Sequence, residues 1–182
     1  DWQTFSKTDA AWHPMVVQNA TLFIGDGNLV SKVDSAAAFT ASALDIEEPL
    51  RIKTMKKFDI DLVIGTWIAT TVNTCQIIRW DTIQSTWQYN EEVLENGINA
   101  FLWAGTVLLT QAGTFGGWYY YDGVKLQPDK RIPGTWTPSK YGEVMPNATG
   151  VLLNIPIFGF SNGSGNPADQ GIYSFGQYSK DY

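Results

Sequence analysis

The 182-residue chain has 12 basic and 18 acidic residues, a net charge of −6, and hydrophobic and aromatic fractions of 44% and 14%. That supplies one well-buried core and excludes disorder, and with no lysine or arginine cluster to neutralise a row of phosphates it excludes nucleic acid as a partner. One cysteine, Cys75, rules out an intrachain disulfide, and no apolar run approaches the ~20 residues of a membrane span, so no membrane insertion is expected.

The chain opens on Asp1-Trp2-Gln3-Thr4, neither a signal peptide nor an initiator methionine, and reads as a mature or excerpted piece. Residues 1–12 read as an outer strand, because Asp1 to Phe5 resembles Thr86-Trp87-Gln88-Tyr89 further on. Four units follow, at 13–49, 50–94, 95–137 and 138–182, each punctuated by Gly, Asn, Asp and Pro at strand-length intervals. The inner strands are expected at Val16 to Val17, Ile52 to Met55, Ile98 to Trp103 and Tyr141 to Met145. The second strands are expected at Leu22 to Gly25, Leu62 to Gly65, Val107 to Leu109 and Val151 to Asn154. Third strands follow at Ser31 to Asp34, Ile77 to Asp81, Trp118 to Gly123 and Gly171 to Gly176, with Thr86 to Tyr89 as the outer strand of the second unit.

Asp26-Gly27-Asn28 lacks the regularly spaced oxygens of a calcium loop and reads as a tight turn. The alanine-rich stretch from Asp34 to Leu44 has helix propensity without bulky residues at helical spacing, so a helix, a single turn or a loop all fit. In the fourth unit, Phe158 to Gly171 is an insertion of turn-forming residues, the kind of loop that carries binding function on a rigid scaffold.

The anchors Ile24, Ile64, Leu109 and Leu153 are 40, 45 and 44 residues apart, the period of a β-propeller blade. The fold class is therefore all-β, with about four blades of four antiparallel strands. Either residues 2–5 pair beside residues 172–175 and close a four-bladed ring, or the chain is a segment of a larger ring; the second is favoured because four-bladed rings are uncommon.

Chemistry-bearing residues are sparse. His13, the only histidine, reads as a junction residue, no nucleophile setting surrounds it, and one His with one Cys makes no zinc set. Asp59 and Asp61, on one face if Ile60 lies in a strand, and the acidic Glu91, Glu92 and Glu95 are the carboxylate groupings weighed for a glycosidase, and a solvated loop between strands is their default reading. Gly113 to Gly117 lacks the lysine of a phosphate loop. No cofactor, metal or catalytic residue is expected. Aromatic stacking remains: Trp67, Trp103, Trp118 and Trp136 near turns, with Asn162, Asn166 and Asp169 of the insertion, are the candidate ligand contacts.

The segments Leu22-Phe23-Ile24-Gly25-Asp26-Gly27-Asn28, Asp61 to Thr66, Ile78-Arg79-Trp80-Asp81 and Trp118 to Gly123 together resemble the repeat pattern of β-propeller proteins encoded by tailed bacteriophages. That resemblance implies a noncatalytic structural or attachment part located in the virion, with other virion proteins as partners. A propeller recognising a host-surface glycan and a sialidase-like or glycosidase-like enzyme are the alternatives. Ile78 to Trp87 shares with a sialidase Asp-box only its aspartate and final tryptophan, and Trp80-Asp81 lacks the Gly-His signal of WD40 repeats.

Overall fold

The computed structural model describes residues 13–68, 73–104, 106–114, 117–131, 142–162 and 171–175. Among these residues fifteen strands form four antiparallel sheets, and each sheet is taken from consecutive strands of the chain. The first holds β1 (Met15–Gln18), β2 (Thr21–Asp26), β3 (Leu29–Val33) and β4 (Phe39–Asp45); the second β5 (Leu50–Phe58), β6 (Asp61–Ile68), β7 (Cys75–Trp80) and β8 (Tyr89–Val93). The third holds β9 (Ile98–Ala104), β10 (Val107–Ala112), β11 (Gly117–Tyr121) and β12 (Leu126–Arg131). The fourth, among the described residues, has three strands: β13 (Gly142–Leu152), β14 (Ile155–Asn162) and β15 (Gly171–Ser174). These are β-propeller blades, meandering from the inner strand outward.

A two-residue hairpin joins the first and second strands of every blade, between the paired residues Gln18 and Thr21, Phe58 and Asp61, Ala104 and Val107, and Leu152 and Ile155. Asn19 and Ala20, like Leu153 and Asn154, have positive φ, the conformation whose twist matches that of the flanking strands. Gly27, at φ 62, supplies the same freedom in the β2–β3 turn, as expected of Asp26-Gly27-Asn28.

Successive side chains of a strand point to opposite faces, and in the second and third blades both faces meet a neighbouring blade. Leu62 and Ile64 pack with Phe23, Val30 and Leu44 between the first and second blades, whereas Val63 and Ile77 pack with Phe101, Leu108 and Tyr121 between the second and third. Leu102, Leu109 and Trp118 meet Val144, Phe158 and Phe160 between the third and fourth. The core is thus three apolar layers. The glycines of β2 and β6 are spaces for the next blade: a Cβ on Gly25 would lie 2.8 Å from Ile52, and one on Gly65 2.6 Å from Ile98.

Several expectations need correction. The alanine-rich segment is neither helix nor loop throughout, since residues 39–45 form the outer strand β4, a position that small side chains suit. The outer strand of the second blade is β8, beginning at Tyr89; residues 81–88 are a loop in which Trp80 Nε1 donates to the Gln84 carbonyl at 2.7 Å. In the fourth blade the inner strand runs on to Leu152, Leu153 sits in the hairpin turn, and the second strand is β14, which takes in Phe158 to Ser161 of the supposed insertion. The ladder makes Ile24, Ile64, Thr110 and Phe158 equivalent, at spacings of 40, 46 and 48 residues. The period of Leu109 is therefore off by one residue, and that of Leu153 by five. Residues 2–5, whose pairing would close the ring, lie outside the described residues.

Replacing Gly65 with alanine should test the layered core. Its backbone needs no special φ, so the cost is overpacking against Ile98 and Thr54, about 1–3 kcal/mol, read as a lower urea midpoint at unchanged m-value.

Candidate functional site

The four inner strands converge on one cavity of about 200 Å³. The residues paired with Ile24, Ile64, Thr110 and Phe158 are Met15, Met55, Phe101 and Thr149, and all four line it, one from each blade. The cavity therefore marks the axis. Lys56 and Lys57 add two basic side chains to a wall of mixed polarity, and among the described residues lining it there is no carboxylate, histidine or cysteine. Such a wall can hold an apolar or anionic group and contains no acid–base pair.

Beside the axis stands a polar cluster built on β-bulges. The register of β5 against β6 slips between Ile52 and Thr54, and that of β9 against β10 slips opposite Gln111 and Ala112, which makes Lys53 and Asn99 the extra residues. A bulge re-aims its side chain, and these two meet: Lys53 Nζ donates to Asn99 Oδ1 across the second and third blades. Asn99 Nδ2 in turn donates to Gln111 Oε1 at 2.7 Å and to the Gly113 carbonyl at 2.8 Å. Gln111 Oε1 also accepts the backbone N–H of Val144 at 3.1 Å, linking the third blade to the fourth. Gln111 occupies the ladder position held by Gly25 and Gly65 in the first two blades, so a hydrogen bond replaces a close apolar approach there. Buried Asn99 and Gln111 are thereby satisfied by three blades at once.

A second cluster lies at the other end of the second and third blades. Asp61 forms an ion pair with Arg79, whose guanidinium stands 5.6 Å from the Phe58 ring centroid and whose Nη1 donates to the Gly123 carbonyl at 3.2 Å. Phe58 stacks on Trp103, with centroids 5.3 Å apart and planes 13° from parallel. Gly123 is constrained twice, by φ of +100° and by Phe58, 2.8 Å from where a Cβ would lie.

The seven candidate contacts do not form one site. Trp118 is buried between the third and fourth blades with its ring against Phe158 and Phe175, so it offers no face for stacking. Trp103 is half-buried with one face taken by Phe58, and Trp67 is half-buried beside Gly97 at the opposite end of the sheet. Trp136, Asn166 and Asp169 lie outside the described residues, as does the side chain of Asn162, whose backbone ends β14. The carboxylates are also dispersed. Asp59 sits in the β5–β6 turn at φ 55 rather than in a strand with Asp61, while Glu95 accepts the Tyr119 hydroxyl at 2.8 Å. His13 Nδ1 lies 3.0 Å from the Gly25 carbonyl, a contact within the first blade. Sequence reasoning missed Lys53, Asn99 and Gln111; the one available signal was polar residues inside the apolar runs of β9 and β10.

No family model and no curated protein matches the sequence. Solved structures do. A chain of the mitotic checkpoint complex superposes with a TM-score of 0.57 at 12% identity, over 80% of this chain and 42% of that one. The N-terminal domain of Nup159 gives 0.50 at 11%, over 91% and 44%. The computationally designed Ika4 protein gives 0.51 at 12%, over 93% and 94%. This chain thus spans less than half of the first two and nearly all of the third. At these identities the likeness shows the β-propeller fold alone.

Three measurements check the interior. Gln111→Leu would strand the Val144 N–H and one donor of Asn99, and should lower unfolding free energy by about 1–3 kcal/mol in urea melts. Cys75 is fully buried, and burial, then the charge of Glu95, push its thiol up to about 12. It should resist a thiol reagent at pH 8 until denaturant is added. Above pH 9 the unfolded chain loses the thiol proton that the folded chain keeps, so stability should fall toward pH 12, by at most about 1.4 kcal/mol per pH unit from this group. Cys75→Ala should flatten that slope.

Proposed function

We propose that this chain is a noncatalytic β-propeller that works as a protein-interaction module built into a bacteriophage particle. The carrying observation is that several of the side chains an enzyme would need are engaged in structural contacts. Asp61 is paired with Arg79, Glu95 with Tyr119, and Cys75 lies within the layer between the second and third blades. What the fold leaves free is surface, which suits binding to other proteins better than turnover. The superposed propellers support the scaffold-like reading at the level of fold, and the location in a virion rests on the sequence resemblance of the repeats to phage-encoded propellers.

Mass spectrometry of purified virions of the encoding phage should recover peptides of this chain in stoichiometric amounts, cross-linked to other structural proteins. Virions free of it would overturn the particle assignment, and recovery without any cross-linked partner would overturn the interaction role.

A further inference from the structure

The two outermost blade faces repeat the chemistry of the buried ones. On the first blade, Met15, Leu22 and Ile24 share a face through the ladder, and 40 residues on, Met55, Leu62 and Ile64 share the equivalent face of the second blade. Met55 is packed into the layer between blades at 6% exposure, whereas Met15 is 60% exposed. Val17, on the same face, is exposed too.

The opposite face of the fourth blade shows the same mismatch. Ile172 pairs with Gly159, as Val30 does with Gly25, Ile77 with Gly65 and Trp118 with Gln111. Val30, Ile77 and Trp118 are 0%, 0% and 2% exposed because the next blade covers them; Ile172 is 84% exposed. Leu152 and Ile155 extend that apolar face. One end of the chain thus carries the face that meets a preceding blade and the other the face that meets a following one; among the described residues Met15 and Val17 on the first and Ile172 on the second stay exposed, while Ile24, further along the first face, is buried.

We propose that these two faces pack on each other between two copies of this chain, head to tail, to complete one ring. Each face is the counterpart of the other in the sense that every internal layer joins one of each kind. A heterologous pairing of this sort closes when its rotation completes a circle. Two of the superposed propeller chains are about twice as long as this one, which spans 42% of one and 44% of the other, so two copies supply the length of one such chain; the designed Ika4 protein has the length of a single copy. Contiguous uncovered apolar faces mark association surfaces.

The test is the mass of the purified 182-residue chain by native mass spectrometry and light scattering. Twice 20.2 kDa is expected at micromolar concentration; a single-chain mass, or a ladder of open oligomers, overturns the proposal. Met15→Glu and Ile172→Glu, both at positions exposed in the single chain, should each leave the circular-dichroism spectrum intact and weaken dimerisation at least tenfold. The control Ile83→Glu, in the exposed 81–88 loop away from both faces, should leave it unchanged. Mixing the two monomeric variants restores one native interface per pair, so dimers should reappear; failure to reappear overturns the head-to-tail arrangement.

Discussion

The fold depends on packing one sheet face against the next. A blade is four strands deep and has no helix to cover it among the described residues, so its apolar faces can leave water only against other blades. Hydrogen bonding holds each sheet together, but the buried layers hold the sheets to one another. The aromatic richness follows from this, since Trp80 against Phe23 and Trp118 against Phe158 fill the wedge between neighbouring blades with large rings at centroid distances of 5.5 and 4.7 Å.

Burial on both faces also explains what the sequence could and could not disclose. The existence and order of the strands were legible because Asp61 to Ile68, Cys75 to Trp80 and Ile98 to Trp103 are apolar runs between turn residues. Register was not legible in the same way. A strand with one wet face declares its register by alternation, but a strand apolar on both sides can slip by one without a visible cost in hydropathy. Leu109 thus looked like the partner of Ile64, though the ladder puts Thr110 there and turns Leu109 toward the fourth blade. The fourth blade was harder still, because the irregular register between Val144 and Thr149 lengthens its inner strand and moves the turn to Leu153 and Asn154.

The candidate site was less legible because it is made of bulges and long-range pairs. Lys53 and Asn99 are ordinary polar residues in strand sequences until one extra residue re-aims each of them, and nothing local marks that extra residue. Gln111 satisfies a backbone N–H 33 residues away. Tryptophans misled for the opposite reason: nearness to a turn says nothing about which way a strand residue points, so Trp118 faces a neighbouring blade while Trp103, also in the third blade, faces the other neighbour.

Two different problems of closure follow from the same architecture. An unpaired strand edge exposes backbone donors and acceptors that water can satisfy, and charge or short length can blunt it. An uncovered blade face exposes side chains that water cannot satisfy, at a cost near 25 cal/mol for each Å² left wet. Sequence reading directed attention to the edge, through pairing of residues 2–5 beside 172–175, because strand patterns are what a sequence displays. The ladder directs it to the faces. Met15 and Ile172 are ordinary interface residues by type and position, and their exposure is decided only by whether another blade stands beside them. Closing a ring of blades therefore asks for covered faces as well as a paired edge.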